Sequence, residues 1–67
     1  MMTVRDFCSL CTDPAISYVD LYTCDACFTI FRGTMRDALR SEFCNWNVES
    51  YDATFANNRI TLNISEP

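Results

Sequence analysis

Four of the five cysteines fall into two C-x2-C pairs, Cys8-Ser-Leu-Cys11 and Cys24-Asp-Ala-Cys27, with twelve residues between them. In a chain of 67 residues no other feature narrows the fold so much. A domain this small buries a modest share of its surface, so apolar burial and chain entropy nearly cancel. A staple is expected: disulfides, a metal or a partner. A two-residue gap lets one turn supply two sulfurs, and two such turns close all four positions of a tetrahedral ion. The spacing therefore predicts a single structural Zn2+ on the thiolates of Cys8, Cys11, Cys24 and Cys27. Such a site contributes on the order of 10 kcal/mol to folding. The competing reading is one or two redox or merely buried cysteine pairs; it explains two pairs at this separation, without a βαβ pattern, less well. Cys44 is left over and reads as a small buried apolar group.

Composition points to the compartment. An odd cysteine count and an amino terminus reading MMTVRDF, with no basic start followed by an apolar run, argue against a secreted disulfide framework. A reducing, intracellular setting is expected, where paired thiols hold metal. No uncharged stretch is long enough to cross a bilayer. Nine acidic residues against five arginines give a net charge of -4, which opposes nonspecific attraction to nucleic acid or anionic lipid.

Along the chain, residues 1–7 read as a short lead-in and Asp13-Pro14 as a turn. Ile16 to Thr23 is rich in β-branched and aromatic residues and reads as a strand. From Asp25 to about Phe43 the period becomes helical, with Phe28, Phe31, Met35 and Leu39 on one face and Gly33 as a weak spot or a point of close approach. Arg59 to Ile64 (RITLNI) alternates, with Ile60, Leu62 and Ile64 on one side. It reads as a terminal strand that joins the hairpin, or as an edge open to a partner's strand or a second copy. The expectation is a single α+β domain over residues 1–67, with a finger core at 8–44 and a strand-bearing extension at 45–67.

The run Cys24-Asp-Ala-Cys27-Phe-Thr-Ile-Phe31-Arg32-Gly-Thr34 resembles the first zinc module of nuclear hormone receptors, in the form common in the nematode branch. Tyr18 and Leu21-Tyr-Thr-Cys24 are similar to the segment before that family's second knuckle. The resemblance covers residues 8 to about 44. It implies a treble-clef-like fold, in which a knuckle and a hairpin precede a second knuckle that opens a helix, and it implies a nuclear location. The departures are equally specific. Phe28 stands where the family carries a base-reading lysine, Gly33 replaces one of two paired arginines, and no second zinc module follows Cys44.

Three classes of function follow. The first is a non-enzymatic protein-interaction module, an adaptor or regulator, with Phe28, Trp46 and Tyr51 as apolar anchors and Phe55 as a further exposed aromatic. The second is sequence-specific DNA binding by a transcription factor, through a helical stripe of Arg32, Arg36 and Arg40. In the first reading the same stripe serves as a polar recognition surface. Catalysis is the poorest: the chain has no histidine, closed four-cysteine zinc leaves no place for activated water, and no small-molecule substrate is expected.

Overall fold

The computed structural model describes residues 1–54 and 59–67; Phe55, Asn57 and Asn58 lie outside the described residues. In chain order the elements are helix α1 (Val4–Cys8), strands β1 (Tyr18–Thr23) and β2 (Phe28–Thr34), helix α2 (Met35–Leu39), and strands β3 (Asn47–Thr54) and β4 (Arg59–Ser65). The strands form one mixed sheet in the order β2-β1-β4-β3. The fold is α+β, as expected, with two short helices rather than one.

Alternation builds the sheet. Val19, Leu21 and Thr23 of β1 are buried while the residues between them are not, and β4 buries Leu62 and Ile64 in the same rhythm. The two strands run parallel with Leu21 opposite Leu62 and Thr23 opposite Ile64, so their apolar residues share one face. Val4 and Cys8 of α1, one helical turn apart, join Met35 and Ala38 of α2 on that face and complete the core. Each helix is capped by a threonine. Thr3 and Asp6 form a reciprocal capping box on α1, and the Thr34 hydroxyl accepts from the Asp37 N–H at 3.2 Å on α2. The other sheet face carries no element of the described chain.

Several expectations need correction. Asp25 to Phe43 is not a helix: Cys24 to Cys27 is the turn of a β1–β2 hairpin, and Phe28 to Thr34 is its second arm. The β-branched and aromatic run Phe-Thr-Ile-Phe favours the strand, and Thr34 then caps a helix of only five residues. The knuckle therefore does not open a helix here. Phe28 leaves the core and is 53% exposed, Phe31 and Leu39 are half-buried, and Met35 is buried. Gly33 lies in β2, where an added Cβ would stand 3.3 Å from the Phe31 ring, so the close approach is made by a side chain. Arg59 to Ser65 is not an edge either. It is paired on both sides, to β1 and to β3, which leaves β2 and β3 as the outer strands. Helix α1 and strand β3 went unexpected.

Candidate functional site

The second cysteine pair occupies the β1–β2 turn. The Cys27 N–H donates to the Thr23 carbonyl at 2.8 Å, closing the turn, and the Cys24 N–H donates to the Ile64 carbonyl at 3.1 Å, tying it to β4. Both cysteines are exposed. Cys27 has φ of 58°, the left-handed region, and is the only non-glycine residue with positive φ among those described. A side chain there costs on the order of 1 kcal/mol where glycine would cost nothing. The backbone thus accepts strain at the position that presents a thiol. Tyr22, on the open face of β1, lies beside the pair; partial burial, and then the neighbouring Cys27 and Cys24 thiols, push its phenol above the ordinary value.

The first pair is placed otherwise. Cys8 is the last residue of α1 and is fully buried among Val4, Leu21 and Ile64, and Cys11 packs half-buried against the same core. Burial, with a smaller contribution from Cys11, pushes the Cys8 thiol up to about 11. Cys44 is buried as a small apolar residue, and its sulfur accepts a hydrogen bond from Arg5 Nη2 at 3.3 Å.

Among the described residues no three cysteine or acidic side chains gather closely enough to share a metal. Cys24 and Cys27 share one turn, where the Cys27 thiol donates to the Cys24 carbonyl at 3.5 Å, and Cys8 faces the covered side of the sheet.

The arginines expected on one stripe are divided between two elements. Arg32 lies in β2, Arg36 in α2, and Arg40 caps that helix. The helix that would have aligned them is replaced by the hairpin. Arg32 Nε approaches Asp20 Oδ1 at 3.2 Å, and Arg59 Nε donates to Asp20 Oδ2 at 3.3 Å, so one carboxylate holds two guanidinium groups on the open face. The Arg59 guanidinium also lies 5.6 Å from the centre of the Tyr18 ring. Sequence reading missed this cluster. Its signal was the polar set of the alternation, Tyr18, Asp20 and Tyr22 on β1 against Arg59, Thr61 and Asn63 on β4. Trp46 is half-buried and packs edge-on against Phe43 at 5.2 Å. Tyr51 is 61% exposed and leans on Phe7 at 5.9 Å.

No protein-family model matches the chain, and no curated protein or solved structure matches it either. No helix among the described residues is long and apolar enough to cross a membrane.

Proposed function

We propose that this chain is a non-enzymatic, zinc-binding protein-interaction module whose working surface is the Cys24–Cys27 turn with the open sheet face beside it. The observation that carries the reading is the exposed thiol pair on a turn whose second cysteine sits in strained, left-handed backbone. Strain of that kind concentrates where a side chain has a task beyond packing. The exposed Phe28, immediately after the turn, suits a protein partner, and Tyr51, on the side of the sheet that α1 covers, is a second exposed aromatic apart from that surface. A net charge of -4 and arginines divided between strand and helix give a DNA duplex no continuous cationic face, which favours the interaction reading over the DNA-binding one.

Zinc enters this proposal through the cysteine spacing. Cys24 and Cys27 hold the ion with the least rearrangement. A treble-clef-like closure that also used Cys8 and Cys11 is supported by the C-x2-C repeat and by the receptor-finger resemblance. It requires the Cys8 thiol to leave the core and lose its proton. The compartment that goes with the resemblance is intracellular and nuclear.

Affinity capture from the source organism tests the proposal, run with the wild type and with Cys24→Ser, alongside zinc analysis of the purified, reduced protein. The reading expects stoichiometric zinc and a protein partner, both lost in Cys24→Ser while the circular dichroism spectrum is kept. Zinc-free protein that captures nothing, or capture that ignores the substitution, contradicts it.

A further inference from the structure

Strand pairing sets the distance between the two thiols of the β1–β2 turn. Thr23 stands opposite Phe28 at the last registered position of the hairpin, so the next residues on the two arms are Cys24 and Cys27. This end is held closed by the backbone. The Cys27 N–H reaches the Thr23 carbonyl at 2.8 Å, and the Cys24 N–H reaches the Ile64 carbonyl at 3.1 Å. Residues Cys24 to Cys27 are the turn itself. A four-residue turn brings its first and last Cα atoms within about 7 Å, and a disulfide takes Cα atoms about 4.4–6.8 Å apart. The Cys27 thiol already reaches back across the turn to the Cys24 carbonyl oxygen, at 3.5 Å. Left-handed backbone at Cys27 completes the reversal, as in hairpin turns that end on such a residue.

We propose that Cys24 and Cys27 are a dithiol–disulfide exchange site, closing to an intrachain disulfide by exchange with a small disulfide such as oxidised glutathione. One cysteine thiolate attacks a sulfur of the small disulfide and expels one small thiolate, leaving a mixed disulfide on the turn. The second cysteine thiolate attacks the protein-side sulfur of that mixed disulfide and expels the other small thiolate. The two cysteine protons pass through solvent to the two released thiolates. The chain thus loses two electrons and two hydrogens, and the small disulfide gains them. In reverse, the small thiol reopens the pair.

Burial makes the exchange selective. Both turn cysteines are exposed, so a dissolved disulfide reaches either sulfur. Cys8 has no exposed surface and Cys44 is buried, so neither meets the reagent while the core is closed. Cys11 is half-buried, and its spacing partner Cys8 faces the core, so the first pair has no accessible second thiol to resolve a mixed disulfide. The exchange uses the metal-free fold and does not rest on the zinc reading. It bears on that reading in one way: both sulfurs are joined in the bridge, so the oxidised turn holds no ion.

The test is incubation of the reduced full chain with oxidised glutathione in chelator, read by intact mass and peptide mapping after acid quenching and alkylation. The wild type, Cys24→Ser, Cys27→Ser and Cys11→Ser are compared. The wild type is expected to lose two hydrogens, with the link mapped to Cys24 and Cys27, and to regain them in excess reduced glutathione. Cys24→Ser and Cys27→Ser each stop at a mixed disulfide, gaining one glutathione on the remaining turn cysteine. Cys11→Ser closes like the wild type. Circular dichroism of the bridged and reduced chains coincides, and closure is more complete in the folded chain than in urea at the same glutathione ratio. A wild type that stops at the mixed disulfide overturns the proposal. So does a bridge from the turn to Cys8, Cys11, Cys44 or another chain. Closure that is equal in urea, or that comes with loss of the sheet, overturns it too, because the bridge would then owe nothing to the folded turn. Zinc is excluded throughout, so each outcome is independent of whether the reduced turn binds it.

Discussion

Cys8-Ser-Leu-Cys11 and Cys24-Asp-Ala-Cys27 share one spacing and occupy opposite settings. The first pair begins on the final residue of a helix, with Cys8 one turn after Val4 and both facing the sheet. The second pair lies in a hairpin turn, with both thiols toward solvent and one of them on strained backbone. A C-x2-C pattern fixes how far apart two sulfurs are along the chain, not which way they face. Orientation comes from the element. A helix that packs on a sheet turns its cysteine inward, and a turn anchored only by its backbone turns its cysteines out.

The comparison implies that the first region depends on apolar packing and the second on what it presents. The largest expected effect lies in the core that Cys8 shares. Leu62→Ala should cost about 2–5 kcal/mol in chemical denaturation with chelator present, enough to unfold most of a chain this small. An effect seen only with zinc bound would break the distinction. Next come the cysteines themselves. Cys8→Ser buries a hydroxyl in an apolar site and should cost about 1–3 kcal/mol, whereas Cys24→Ser in the metal-free protein should stay within about 0.5 kcal/mol of the wild type. Equal costs would erase the difference between the pairs. On the open face, Asp20→Ala leaves Arg59 and Arg32 without their shared carboxylate and should lower the thermal midpoint only slightly, because solvent screens both pairs.

Two smaller effects sharpen the account at each region. Cys27→Gly relieves the left-handed backbone and should raise metal-free stability by up to about 1 kcal/mol while removing a thiol. A loss of stability would show that the Cys27 side chain contributes packing. At α1, hydrogen bonds from the Thr3 backbone N–H and then its hydroxyl interaction hold the Asp6 carboxyl below the usual aspartate value of 3.8. A depressed carboxyl stabilises the fold above that value and loses the contribution as pH falls through the lower folded one. An acid titration followed by circular dichroism should therefore show a slight shoulder below about pH 4 that Asp6→Asn abolishes.

Much of the sheet was legible because burial on one face imposes a period of two. Ile60, Leu62 and Ile64 gave β4, and Val19 and Leu21 within a β-rich run gave β1. The second hairpin arm was not, because Phe28, Phe31, Met35 and Leu39 mimic a helical face. In fact Phe28 points to solvent, Phe31 lies on a strand, and only the last two share a helix. In β3 a register shift between Val48 and Ser50 breaks the alternation, so that Val48, Tyr51 and Ala53, opposite Ile64, Leu62 and Ile60, share a face at unequal spacing. Helix α1 left a trace in Thr3 and Asp6, three residues apart, but five residues carry too little periodicity to be seen. The parallel pairing of β1 with β4 joins segments some forty residues apart, and nothing local encodes it. At the candidate site the thiol spacing was readable, while the setting of each thiol depended on tertiary packing.

The most direct measurement of the contrast between the two pairs is thiol labelling of the reduced protein in chelator, with each modified cysteine mapped by mass spectrometry. Cys24 and Cys27 should react at the rate of an exposed model thiol, and Cys8 and Cys44 only as fast as the chain opens. Labelling of Cys8 as rapid as that of Cys24 would contradict the account, because it would mean that the core around α1 does not form in the metal-free chain.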